Sequence, residues 1–394
     1  MTNKFNLPEN PEAYADKYFL RGYDILNAEG INPWVKAQVM IRRGPGKVFG
    51  LDEALAILEK YSPLVENKGK VYALNEGDNY APRETLMLTE APILDIIKLE
   101  TMYLGVNAAE TTKANDNIRI DLAQVTENAR KITGLVGKRT VMYMGARHWR
   151  YDEDAAITRA AYEGGFRGAS TDIGAATFGQ LGAGTTPHVV ENIMAWKYGR
   201  DRAVVETIKA FDRVIAPQVP RIILCDYRTK EITDTLACAQ ELGNRLWGPR
   251  IDTCGENVGE GAIEFPDKRK LEQLIGKQIV IPDEDEKFWF GRGVTVTGTY
   301  AMRKALDKNG YNNMKIVLSS GFADPRKVQA FVRAEEILGA QLFDMLGVGQ
   351  LFESRASKMD IVGVGEPRNY IPIAKTGRRE NPNPRLKLRL RGRR

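Results

Sequence analysis

Apolar residues recur at a helical interval between Asp324 and Gly339, and a short apolar run stands on either side, Lys315–Gly321 and Leu342–Gly349. Asp324 is placed as an N-cap, Pro325 takes the first helical position and Gly339 stops the helix. The pattern predicts strand, helix, strand, with both strands ending in glycine loops. Such loops bring backbone N–H groups close to an anion with no side chain between, and in β/α barrels the loops after the last two strands often hold phosphate. Tight βα turns also use glycine for geometry alone, so the turns do not fix a function.

The same rhythm starts near Lys138. Strands are predicted at Thr140–Met144, Arg221–Cys225 and Arg250–Ile251, and helices over Glu153–Tyr162, Lys230–Leu246 and, after a turn, Val294–Leu306. Repeated βα units imply a parallel sheet. Earlier residues lack the alternation: Gly50–Lys60 reads as an amphipathic helix, and Ile93–Leu104 as a strand running into a helix. The expected fold is α/β, an incomplete or irregular TIM-like barrel with an N-terminal α+β domain that the C-terminal segment rejoins. The expected division is residues 1–125, 126–362 (the catalytic barrel) and 363–394, the last packing its basic tail on the N-terminal domain. Between Gly259 and Gly293 the rhythm breaks, which suggests an excursion over the barrel mouth or into a subunit contact.

The formal charge of +6 over 394 residues is uneven, since nine basic residues and one acid from Ala374 onward leave the body near −2. That balance argues against a nucleic-acid groove spanning the fold. Arg385–Arg391 alternates strictly and predicts a sheet strand with Leu386, Leu388 and Leu390 on its buried face. A second reading gives Arg391–Arg394 an attraction for RNA or other anions. No run approaches the roughly 18 apolar residues of a membrane span, and Met1–Pro8 has no apolar signal core, so a cytoplasmic protein is expected. Cys225, Cys238 and Cys254 lack metal-ligand spacing and read as reduced core or site-lining residues.

The chemistry-bearing residues gather at predicted strand ends. His148 and His188, the only histidines, flank the second βα unit beside glycine turns. Asp226 and Asp252 follow strands directly, where a carboxylate points into a barrel mouth. Arg147 and Arg250 offer guanidinium forks for phosphate, whereas Arg159 lies mid-helix and suits a surface salt bridge. Neither a Walker loop nor a dinucleotide fingerprint after the first strand occurs. The set suits a phosphorylated sugar with a phosphate-like leaving group.

The motifs Gly145-Ala146-Arg147-His148, Arg159–Gly165, Gly184–His188, Arg250-Ile251-Asp252-Thr253, Leu318–Phe322 and Gly347–Gly349, in this order, resemble those of nicotinate phosphoribosyltransferases, relatives of quinolinate phosphoribosyltransferase. The resemblance runs from about Ala15 to Arg379 and implies roles residue by residue. Ser320, Gly321, Gly347 and Gly349 would hold the 5-phosphate of phosphoribosyl pyrophosphate. Arg147 would bind phosphate beside the base site, Arg250 with Asp252 would orient ribose and base, and His148 and Thr253 would also bind substrate. His188, beside Asp226, would be phosphorylated by ATP, and Mg2+ would accompany the pyrophosphate. The metal ligands themselves are not assigned. A homodimer with shared sites is implied: Tyr18 would reach the pyridine ring from the partner, and Arg42 or Arg43, Lys375 and Arg378 the pyrophosphate. Where relatives stack an aromatic on the base this chain has Met144, with Tyr143 or Trp149 as substitutes, and relatives often carry a second arginine where His148 stands. The implied activity joins nicotinate to phosphoribosyl pyrophosphate in NAD synthesis. Quinolinate or nicotinamide phosphoribosyltransferase is the alternative, and a non-catalytic nucleotide- or RNA-binding barrel the further one.

Overall fold

The computed structural model describes residues 4–392. Its first part is an antiparallel sheet built from β1 (Trp34–Ile41), β3 (Lys70–Ala73) and β5 (Thr85–Pro92), with a small ribbon, β2 (Gly46–Lys47) and β4 (Asn79–Tyr80), beside it. The barrel strands follow: β6 (Thr140–Tyr143), β7 (Gly168–Ala169), β8 (Arg221–Leu224), β9 (Leu246–Ile251), β10 (Val317–Leu318) and β11 (Met345–Val348). They form one parallel sheet in the order β7-β6-β11-β10-β9-β8, with β7 and β8 as unpaired edges, so the barrel is curled but open. The chain then returns to the first sheet through β12 (Ser357–Glu366), β13 (Asn369–Ile371) and β14 (Lys387–Arg391), giving the order β13-β12-β1-β5-β3-β14. The α/β architecture is therefore an incomplete TIM-like barrel with an N-terminal domain that the C-terminal segment rejoins.

Most predicted elements stand where the pattern put them, and the departures have local causes. The helix after β10 and its glycine turn spans Pro325–Leu338, with Asp324 accepting from the Arg326 N–H as N-cap and Gly339 at φ +65° ending it. Ile93–Leu104 contains no strand. β5 ends at Pro92, and helical turns lead into helix Glu100–Asp116, which is buried on nearly every side and so carries no amphipathic signal. The helix placed at Lys230–Leu246 stops at Leu242, because Gly243 turns to φ +56°, and β9 begins four residues before its expected start at Arg250.

The tail strand forms, but a bulge between Leu388 and Leu390 breaks its alternation. Leu390 is buried, Leu388 is exposed, and half-buried Arg389 bonds Asp52 and the Leu74 carbonyl. Arg393 and Arg394 lie outside the described residues. The excursion between Gly259 and Gly293 packs on the barrel's outer helices: Trp289 is buried and Asp285 pairs with Arg333 on helix Pro325–Leu338. No helix among the described residues is long and apolar enough to cross a membrane.

Candidate active site

At the C-terminal ends of the barrel strands lies a cavity of about 360 Å³, walled on its far side by β12, Arg42 and the chain near Lys375. Strand ends supply Met144, Arg147 and His148 after β6, Arg250 and Asp252 at β9, Ser319, Ser320 and Gly321 after β10, and Gly347 and Gly349 at β11. Thus 5-phosphate candidates from two neighbouring strands open into one space. Gly321 has φ +84° and Ser320, a residue with a Cβ, has φ +69°. A serine in the left-handed region stores strain of about 1–3 kcal/mol, the kind found at ligand clamps. At Gly349 a Cβ would stand 2.9 Å from the His148 ring, so only glycine fits there.

On one wall, helix His188–Tyr198 presents its first residue. His188 Nε2 lies 2.8 Å from Asp226 Oδ1, and the other oxygen of Asp226 accepts from the Lys375 ammonium. Burial works against the charge of Asp226, but Lys375 and His188 outweigh it and hold the carboxyl well below its usual range. Burial and Lys375 together lower His188, leaving a neutral ring. A charged carboxylate at Nε2 requires Nε2–H, so Nδ1 keeps the free lone pair. Glu191, one turn on, is 4.0 Å from Nε2, and burial raises its carboxyl well above the ordinary value. It is therefore no second charge on the imidazole. Asp252 completes the group, as one donor atom each from His188, Asp226 and Asp252 lies within 4.8 Å of the others. Its Oδ1 accepts from Ser319 Oγ at 2.7 Å.

The other wall holds Arg147 between two buried acids. Its Nε is 3.2 Å from Asp16 Oδ2 and its Nη1 3.2 Å from Glu100 Oε1. Burial raises Glu100 to about 8, against the pull of Arg147. Tyr18 lies beside this group, donating to Asp16 Oδ2 at 3.2 Å, with the guanidinium 5.6 Å from its ring centre. His148 next door has Nδ1 3.1 Å from the Gly349 carbonyl. Burial, with Arg147 and Lys358, lowers it to about 3. It is a neutral ring donating from Nδ1, so it does not replace the cation of a second arginine.

Several expected residues take other places. Arg42 lines the cavity, whereas Arg43 is half exposed and pairs with Glu353. Both follow Ile41, the last residue of β1, and only Arg42 enters the cavity. Thr253 is buried behind the wall, donating to Glu231 Oε1 at 2.7 Å. Tyr18, Arg42, Lys375 and Arg378, which the resemblance assigned to a partner, line this chain's own cavity. Met144 lines it too, while Tyr143 and Trp149 are buried and do not. Arg159 is a surface residue paired with Glu163.

Other residues at the site escaped the sequence reading. Lys358 and Asp360 enter from β12, and Glu100 from a helix start. Lys358 has no carboxylate partner among the described residues, and burial, Arg42 and Arg147 lower it to about 8. Glu256 gathers Arg42 at 3.2 Å, Arg83 at 2.9 Å and Arg378 at 3.7 Å. Asp16 stands two residues ahead of Tyr18. The one available hint at Asp16 was an acid just ahead of an aromatic pair.

The family model of the quinolinate phosphoribosyl transferase N-terminal domain matches residues 16–108. No curated protein matches the chain significantly. Among solved structures, nicotinate phosphoribosyltransferase from Porphyromonas gingivalis is 13% identical, with a TM-score of 0.60 over 93% of this chain and 95% of its own. The Vibrio cholerae nicotinate phosphoribosyltransferase is 11% identical, with a TM-score of 0.60 over 92% and 87%. A nicotinate-nucleotide pyrophosphorylase from Pyrococcus furiosus is 25% identical over 96% of this chain and 82% of its own, with a TM-score of 0.44. The first two share the fold of the whole chain, and the family-model match lies in its N-terminal part.

Proposed function

We propose that the protein is a nicotinate phosphoribosyltransferase that forms nicotinate mononucleotide and pyrophosphate for NAD synthesis, coupled to ATP hydrolysis through phosphorylation of His188. The observation that carries this reading is the neutral His188 tethered at Nε2 by Asp226, beside Asp252 and the two glycine turns. The lone pair on Nδ1 attacks the γ-phosphorus of ATP, the bond to the ADP oxygen breaks, and Asp226 balances the imidazolium that forms. The N-terminus of helix His188–Tyr198 favours the added negative charge. Water later cleaves the P–N bond and returns the neutral ring.

In the transfer step the C1–O bond of phosphoribosyl pyrophosphate breaks as the pyridine nitrogen closes on C1. Asp252 steadies the developing ribosyl cation while Arg42, Lys358 and Arg378 receive the departing charge. Asp252 keeps one oxygen beyond its bond to Ser319, which suits a cation that prefers one or two carboxylates and substrate phosphates. Mg2+ bound there would neutralise the leaving diphosphate. Arg147, which bonds Asp16 and the protonated Glu100, keeps charge for a single carboxylate on the base, and Tyr18 supplies a ring face.

Quinolinate phosphoribosyltransferase is the second reading, favoured by Lys358, which lies near Arg147 and has no carboxylate partner among the described residues. The test is turnover with nicotinate, nicotinamide or quinolinate, with and without ATP, following carbon dioxide release. Nicotinate turnover stimulated by ATP, with the stimulation lost in His188→Ala, is expected. Turnover of quinolinate alone would replace this reading with the second, and an equal response of wild type and variant to ATP would remove the phosphohistidine. The reading also includes a cytoplasmic homodimer, for which light scattering should give twice the chain mass.

A further inference from the structure

Lys327 sits one turn into helix Pro325–Leu338, behind the Ser320–Gly321 turn rather than in the cavity wall. Its stem is partly buried, its ammonium lies 4.5 Å from the ring centre of Phe322, and Nζ donates to the Ser320 carbonyl at 3.0 Å. Nζ is also 3.3 Å from where a Cβ on Gly321 would stand. No carboxylate lies within ion-pair distance of it among the described residues.

The acids around it are engaged elsewhere. Asp324, on its own helix, pairs with Arg326 at 2.9 Å, and Asp252, at the end of β9, bonds Ser319. From the packed segment before the helix, Glu284 and Asp285 go to Arg333, while Lys287 faces Asp324 as another cation. Glu335, farther along the helix, takes Arg139. A low-dielectric cation without a counter-charge raises the affinity of its surroundings for an anion.

We propose that Lys327 sets the phosphate affinity of the Ser320–Gly321 turn, bracing its left-handed backbone from behind and lending it a positive charge that no carboxylate among the described residues pairs with. This rests on the reading of the turn as a phosphate site. Lys327 is a positioning residue that acts through the turn. Burial lowers its ammonium to about 8, so the charge is present at pH 7 and fades above pH 8.

The test is calorimetric binding of ribose 5-phosphate to the full chain from pH 7 to 9.5, where the phosphate stays a dianion. Wild type should bind more weakly as pH rises through 8. Lys327→Gln should bind about tenfold more weakly at pH 7 and show no alkaline fall, the scale of one charge-assisted contact. Lys327→Arg, charged throughout, should keep the affinity and lose the fall. Lys358→Gln should retain the fall, which separates the other lysine titrating near 8. Wild-type affinity and pH dependence in Lys327→Gln, or a fall that vanishes only in Lys358→Gln, would overturn the proposal and leave the phosphate turn standing. No binding by wild type would end both. If Lys327→Gln melts early, the arginine variant carries the test.

Discussion

The two histidines occupy similar turns at the barrel rim, yet their surroundings set them to different work. His188 meets a charged carboxylate that is itself tied to an ammonium, so its tautomer is fixed and one nitrogen is left nucleophilic. His148 meets only a backbone carbonyl, and the cations around it suppress protonation. Burial makes both rings neutral, but only the first has a partner able to balance a positive charge created by reaction. The identity of the second neighbour decides whether a buried histidine is reactive or structural.

The sharpest way to break the contrast is Asp226→Asn. It removes the anchor of His188 and leaves the Lys375 ammonium buried without its counter-charge. A loss of about 3–5 kcal/mol in urea unfolding is expected, the scale for splitting a buried pair, together with at least a hundredfold fall in kcat. Adding Lys375→Met should recover stability and leave activity low. If the single variant unfolds like wild type, the buried pair is not the anchor described.

On the His148 side the largest effect belongs to its neighbour. Arg147→Gln should raise KM for the base by about tenfold to a hundredfold, as loss of a charged contact does, with KM for phosphoribosyl pyrophosphate little changed. A change confined to phosphoribosyl pyrophosphate would move Arg147 to the other end of the site.

Glu100 makes the difference visible in stability. Its folded pKa of about 8 exceeds the ordinary 4.5, so the folded protein holds a proton that the unfolded chain releases. That contribution is full below about 4.5 and is lost as pH rises through about 8. Glu100→Gln should therefore remove up to a few kcal/mol of alkaline destabilisation, read from Tm between pH 6 and 9. An unchanged alkaline slope would contradict the assignment.

The smallest effect is expected at His148 itself. Held near 3 against about 6.5 unfolded, it stabilises the fold above about pH 6.5 and loses that contribution as pH falls toward 3. His148→Gln should change kcat by less than about threefold, leave the rate profile between pH 5 and 8 unaltered, and blunt acid destabilisation. A new inflection near neutral pH in wild type alone would show that His148 titrates there.

What could be read from the sequence follows contact range. The glycine turns, Asp226, Asp252 and the two histidines sit where a local rule, the end of a parallel strand, locates them. The open barrel was legible for the same reason. Asp16, Glu100, Lys358 and Glu256 obey no such rule: they reach the site from a helix start, another sheet and a loop, and each looks like an ordinary surface charge in the sequence. Arg42 and Arg43 are adjacent just past the end of β1, and no local rule in the sequence says which of them enters the cavity. The Leu388 bulge and the strandless Ile93–Leu104 show the same limit, since full burial erases the periodicity that marks an element.

The contact between Lys375 and Asp226 spans 149 residues and ties a late segment to the end of the edge strand β8. Every barrel strand precedes Lys375 in the chain, so all can be paired while the reactive wall still lacks its ammonium. Long-range closures of this kind form slowly. During refolding, helix and sheet signals should thus recover ahead of catalysis, which waits for the chain's late return to its first sheet.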